Sequence, residues 1–219
     1  MKIIVSLEDE ESFKLAKKLA DYVDGFKLNH ILWPHLKYRG WKKKEVFVDF
    51  KLWDTPNTVV SVVEELIENS VTMTTISTFN NDQVFTDLQQ FHSEIKLLGV
   101  TYLTSWTAQD QSAICKQMPE PMWEESLRRI KGFHGLICSP HDLKDIDYID
   151  FYHDFQRVCP GIGQNKGQIR TTTPHEAFQL GADYIILGRL VTNSPNPIQT
   201  LTQIHKEINE SPKIQTTNT

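Results

Sequence analysis

The sequence predicts a single-domain (β/α)8 barrel, an α/β fold. Eight apolar, strand-like runs alternate with helix-like segments from end to end. The chain of 219 residues suits one domain of barrel size better than two. Asp49, Lys51 and Asp54 gather at the end of the third strand, where barrels of this kind hold their chemistry. Alternation of this type implies parallel strands joined by right-handed crossovers.

The elements follow in order. Residues 2–7 form a first strand. Residues 11–23 place Phe13, Leu15, Ala16, Leu19, Ala20 and Val23 near helical period. Residues 25–28 are a short second strand, and residues 31–38 read as a short helix. The third strand opens at Glu45-Val46-Phe47-Val48 and leads to a helix over 57–69. A Thr-rich fourth strand spans 73–79 and a helix 82–91. The fifth strand is 95–103. Residues 104–130 read as two helices broken at Pro119 and Pro121. Residues 135–138 are the sixth strand, 143–149 a short helix and 155–159 the seventh strand. Thr173 caps a helix over 174–180. Residues 183–187 are the eighth strand and 197–208 the closing helix. The barrel domain thus covers 1–210, and the Thr/Asn-rich tail 211–219 is expected to be flexible.

Composition narrows the function. Net charge is −5 with mixed signs, so there is no basic footprint for nucleic acid. No apolar run is long enough to span a membrane, and the chain enters its first strand without a signal-peptide segment. A cytoplasmic location is expected. Cys115, Cys138 and Cys159 show neither metal nor disulfide spacing. The eight His residues are scattered without metal-ligand spacing, so no metal is expected.

The chemistry centres on Val48-Asp49-Phe50-Lys51-Leu52-Trp53-Asp54-Thr55-Pro56-Asn57-Thr58. Strand alternation puts Phe47, Asp49 and Lys51 on one face and Val46, Val48 and Phe50 on the other. Thr55 and Pro56 suit the cap and first turn of the next helix. A strand-end salt bridge is the simplest account of Asp49 and Lys51 alone. A second acid, Asp54, at fixed spacing points instead to a functional charge array. Lys27, among apolar neighbours on the second strand, either reaches the surface or faces Asp49 in a closed barrel. The second case gives an alternating row of Lys27, Asp49, Lys51 and Asp54.

Asp-x-Lys-x-x-Asp followed by x-Pro-x-Thr resembles the signature of the orotidine 5'-phosphate decarboxylase family. Asp-x-Lys-x-x-Asp alone is shared with sugar-phosphate decarboxylases and aldolases of the same superfamily; Pro56 and Thr58 favour the orotidine branch. Lys27 matches the family's lysine on the second strand, although the glycine usual two residues later is Asn29 here. Ser6-Leu7-Glu8 stands where the family has Ala-Leu-Asp, so the resemblance makes Glu8 the ribose-binding acid. Ser77 replaces a frequent His. Leu103-Thr104-Ser105 is similar to the motif whose serine contacts the pyrimidine, which assigns that contact to Ser105.

The last third carries the second match. Pro160-Gly161-Ile162-Gly163, Thr173-Pro174 and Gly181-Ala182-Asp183-Tyr184 lead to Gly188-Arg189 at the end of the eighth strand. Loops after strands seven and eight commonly bind phosphate through backbone N–H groups, and an Arg adds charge-assisted bonds. Gly161, Gly163, Gly188 and Arg189 are the expected phosphate-binding residues, and the resemblance adds Gln164 as the counterpart of the family's phosphate-loop Gln. The resemblance implies decarboxylation of orotidine 5'-monophosphate without any cofactor, with Lys51 as proton donor, and Asp49, Asp54 and Lys27 completing the catalytic row. It also implies a homodimer in which Asp54 and Thr58 act across the interface. Two other readings stay open: a magnesium-dependent sugar-phosphate decarboxylase or hexulose-phosphate synthase, and a non-catalytic nucleotide-binding barrel.

Overall fold

A computed structural model describes residues 1–38, 41, 43–103, 105–115, 119–146, 152, 154–163 and 172–210. The expected flexible tail, residues 211–219, and the expected phosphate-loop residue Gln164 lie outside them. The strands are β1 (Lys2–Leu7), β2 (Gly25–Leu28), β3 (Glu45–Leu52), β4 (Met73–Ser77), β5 (Lys96–Val100), β6 (Gly135–Ile137), β7 (Gln156–Ile162) and β8 (Tyr184–Leu187). They pair in parallel in chain order, and β8 closes on β1 with Ile3 beside Ile185. The result is the predicted (β/α)8 barrel.

Around it lie α1 (Glu10–Leu19), α2 (Pro56–Glu68), α3 (Asp82–Leu88), α4 (Ala108–Cys115), α5 (Pro119–Arg129), α6 (Leu143–Ile146), α7 (Pro174–Gln179), α8 (Arg189–Thr192) and α9 (Pro197–Asn209). Local sequence sets their starts. Asp9 and Ser12 exchange capping bonds ahead of α1, and Thr173 and Glu176 do so ahead of α7. Pro56, Pro174 and Pro197 occupy first turns, where a missing N–H costs nothing. No helix among the described residues is long and apolar enough to cross a membrane.

Alternation along the strands separates two cores. Ile4, Phe47, Met73, Leu98, Val158 and Tyr184 fill the barrel. Val5, Val46, Val48, Leu97 and Ile185 face the helices. Several boundaries depart from expectation for local reasons. The predicted helix 11–23 tightens to a 3-10 turn at Ala20–Tyr22, and residues 31–38 give a 3-10 turn at Trp33–Tyr38. The fourth strand stops at Ser77, whose hydroxyl accepts from Phe79 N as the chain turns. The seventh runs on to Ile162 through an irregular pairing, since Pro160 has no N–H to give. Helix α8 was not anticipated: its four residues are too few to show a period.

The lower mouth of the barrel is sealed by inward-facing polar groups. Glu45 accepts from Lys96, from Lys2 at 3.5 Å and from the Thr72 hydroxyl at 2.7 Å. Both lysines also reach the Tyr184 hydroxyl at 3.3 Å. Burial alone would raise the Glu45 pKa; the Lys96 and Thr72 contacts outweigh it and hold the carboxyl below its ordinary value. Glu45→Ala, which strands Lys96, is expected to lower stability by about 2 kcal/mol in urea denaturation. A loss below about 0.5 kcal/mol, the usual scale of a surface change, would refute that role.

Candidate active site

The upper mouth holds the opposite arrangement, a charge array open to a cleft. Lys27 points inward from β2 and Asp49 from the neighbouring β3. Lys27 Nζ lies 3.0 Å from Asp49 Oδ2, and Lys51 Nζ lies 2.8 Å from Asp49 Oδ1. The Asp49 side chain is only 14% exposed. Burial pushes its pKa up, but the two ammonium charges and their hydrogen bonds prevail and bring it to about 2. The carboxylate is therefore ionised at neutral pH, with each oxygen facing a cation.

Lys51 does not follow simple strand alternation. Its φ is +52°, a left-handed conformation costing a non-glycine residue about 1 kcal/mol. The β3–β4 register shifts between Val48 and Leu52. Thr75, fully buried on β4, bridges this irregularity: its hydroxyl accepts from Lys51 N at 2.8 Å and donates to Asp49 Oδ1 at 3.0 Å. Thr75 escaped the sequence reading. Its strand holds a Met-Thr-Thr-Ile run, and nothing in the chain alone marks which hydroxyl faces the barrel.

Asp54 does not join the row within one chain. The predicted series of four has three members here: Asp54 is exposed, and its Oδ1 accepts from Thr55 N at 2.6 Å. Its own N–H donates to Asn80 Oδ1 at 3.1 Å, and Asn80 Nδ2 donates to Leu52 O and Ser77 O. Asn80 was also missed; its buried amide clamps the loop. Thr55 stands at the helix cap, but its hydroxyl meets that of exposed Thr58 at 2.9 Å rather than capping a backbone N–H. Beside them Trp53 is 71% exposed and touches Phe79, ring centroids 6.4 Å apart.

Lys27, Asp49 and Lys51 line a cavity of about 280 Å³ together with Tyr102, Leu103, Ser105 and Ile137. A second cavity of about 130 Å³ shares the Lys27, Pro160 and Ile186 wall and adds Ser6, Glu8, Gly161, Gly188 and Arg189. Charge array and expected phosphate end are thus two ends of one cleft. Gly161 and Gly163 take φ of +79° and +99°, which only glycine adopts freely. Gly163 N donates to Thr172 O at 2.8 Å, so Gly163 shapes the turn rather than offering its N–H to a ligand. Asn29, the departure from the expected glycine, donates to Glu8 O and accepts from Ile31 N and Leu32 N, tying β1 to the turn after β2. A larger groove of about 580 Å³ lies along α7, α8 and α9, but among the described residues Glu207 is the only ionisable one lining it.

Comparison with known proteins agrees with this geometry. Residues 1–204 match the model of the orotidine 5'-phosphate decarboxylase / HUMPS family. The chain is 31% identical to the orotidine 5'-phosphate decarboxylase of Dictyoglomus turgidum, with 95% of each chain covered. It is 34% identical to that of Wolbachia pipientis, over 75% of this chain and 76% of the relative. The crystal structure of orotidine 5'-phosphate decarboxylase from Lactobacillus acidophilus superposes with a TM-score of 0.78 at 26% identity, covering 95% of this chain and 99% of that one.

The depressed Asp49 pKa links the site to stability. Its folded value of about 2 lies below the unfolded one, so its contribution is present above about pH 4 and lost as pH falls toward 2. Asp49→Asn is expected to be less stable than the parent by about 2 kcal/mol at pH 7. The difference should shrink between about pH 4 and 2, read by urea denaturation across that range. A difference independent of pH would rule out the ion pairs as its source.

Proposed function

The chain belongs to the orotidine 5'-phosphate decarboxylase / HUMPS family, and we propose that it decarboxylates orotidine 5'-monophosphate to uridine 5'-monophosphate and carbon dioxide. The reaction is the last step of de novo pyrimidine synthesis. The observation that carries this reading is the Asp49 carboxylate held between Lys27 and Lys51 at one end of a cleft whose other end is Gly188-Arg189.

Arg189 and the glycine turns grip the substrate phosphate, far from the reacting carbon. Glu8 and Lys27 contact the ribose and Ser105 the pyrimidine. Remote binding energy then presses the substrate carboxylate toward Asp49. Loss of carbon dioxide leaves an electron pair on the ring carbon. The Lys51 ammonium, already oriented by Asp49, stabilises that charge and donates the proton. The reading needs no cofactor and no metal. It places the enzyme in the cytoplasm as a homodimer, in which Asp54 and Thr58 of one copy complete the row of the other. Exposed Trp53 and Phe79, next to Asp54, supply apolar surface for that contact.

The second reading is a magnesium-dependent sugar-phosphate enzyme of the same family, favoured by the shared Asp-x-Lys-x-x-Asp. A spectrophotometric assay with orotidine 5'-monophosphate, with and without chelator, separates the two. Turnover is expected to survive the chelator and to fall at least about 10³-fold in Lys51→Ala. Arg189→Ala is expected to lower kcat/KM about 10²-fold through loss of a charge-assisted phosphate contact. Activity that vanishes with chelator and returns with magnesium would overturn the metal-free mechanism.

A further inference from the structure

We propose that Thr75 is the positioning residue of the charge array: one buried hydroxyl fixes both the Asp49 carboxylate and the Lys51 backbone, and so sets where the Lys51 ammonium stands. The kinetic part of this proposal rests on the decarboxylase reading; the geometric part does not.

A hydroxyl has one proton and two acceptor lone pairs. Here both roles are assigned by the partners. The backbone N–H of Lys51 can only donate, and an ionised carboxylate can only accept. The Thr75 proton therefore goes to Asp49 Oδ1, 3.0 Å away, and its lone pair takes the Lys51 N–H at 2.8 Å. Because Lys51 Nζ also lies 2.8 Å from the same Asp49 oxygen, the three residues close a ring of hydrogen bonds. Both ends of Lys51, amide and ammonium, are tied to one Thr–Asp pair.

The ring sits where the sheet cannot do this work. Pairing between β3 and β4 runs from Val48–Thr74 to Leu52–Ile76, four steps along one strand against two along the other. Residues in between lose regular ladder partners, and Lys51 is in the left-handed region. Thr75 replaces the missing partner with a side chain. That side chain is β-branched and fully buried, which narrows its choice of χ1. A serine could make the same bonds; a valine would fill the same space and make neither.

Thr75→Val and Thr75→Ser test this in the full-length enzyme. For Thr75→Val, kcat is expected to fall about 10- to 100-fold, the scale of a displaced catalytic group. KM for orotidine 5'-monophosphate should stay within about threefold, because the phosphate end is untouched. Thr75→Ser should keep kcat within about threefold of the parent. A Val variant with parental kcat, or a Ser variant as impaired as Val, would overturn the proposal. So would a change confined to KM. A second readout needs no turnover: amide hydrogen exchange of Lys51 in the unliganded protein, by NMR. Exchange should speed up at least about 10-fold in Thr75→Val and not in Thr75→Ser, and equal exchange in parent and Val would overturn the ring. If the parent protein fails to decarboxylate the nucleotide, the functional reading falls, and the exchange measurement still decides the role of Thr75.

Discussion

Everything in the upper half of this barrel depends on keeping one carboxylate ionised in a nearly buried position. Asp49 is largely out of water, where a lone charge would be neutralised or expelled. Two cations prevent that, and they come from different places. Lys27 is supplied by the adjacent strand, so closure of β2 against β3 is part of the electrostatics. Lys51 is supplied by the same strand two residues on, and reaches the same carboxylate only because the chain departs from ideal β geometry there. The local backbone strain and the charge array are therefore one feature.

The two mouths of the barrel use similar residue types for opposite ends. Below, Glu45 is fully engaged by Lys96, Lys2 and Thr72, and Tyr184 covers both lysines. Above, Asp49 has its cations on one side and the cleft on the other, and Lys51 stays partly accessible to solvent. The two acids are equally shielded, Glu45 15% and Asp49 14% exposed, so what sets the upper cluster apart is the cleft it lines. That cleft lies at the C-terminal ends of the strands, where barrels hold their chemistry.

Much of this was legible in the chain because it follows from period and from charge at strand ends. β1 and β2 have the expected limits, and the capped start of α7 follows from Thr173 and Pro174. The ends of β4 and β7 were not legible: the first follows from the turn at Ser77 and the second from irregular pairing with β8. The same holds for the site. Lys27, Asp49 and Lys51 stand out as charges in apolar surroundings. Thr75 and Asn80 do not, because Thr and Asn are common in strands and turns. Their roles exist only once β3 and β4 lie side by side. Gly163 looked like a phosphate donor by its motif, yet its N–H is taken by Thr172, a partner nine residues away that local pattern cannot reveal.

Asp54 stands apart from the charge row of its own chain. Its carboxylate is exposed and accepts from the next residue's N–H, with no ion pair among the described residues. Yet the loop that bears it is not loose. Asn80 grips it through Asp54 N and Leu52 O, and Arg129 from α5 donates in turn to Thr78 O and Asn80 O while pairing with Asp82. Ordering the loop around an exposed acid costs conformational entropy. Such preorganisation is useful to a group whose partner arrives from outside, since the ordering is complete before the encounter. Asp54, beside the exposed Trp53 ring, suits that description, and the homodimer proposed above would supply the partner.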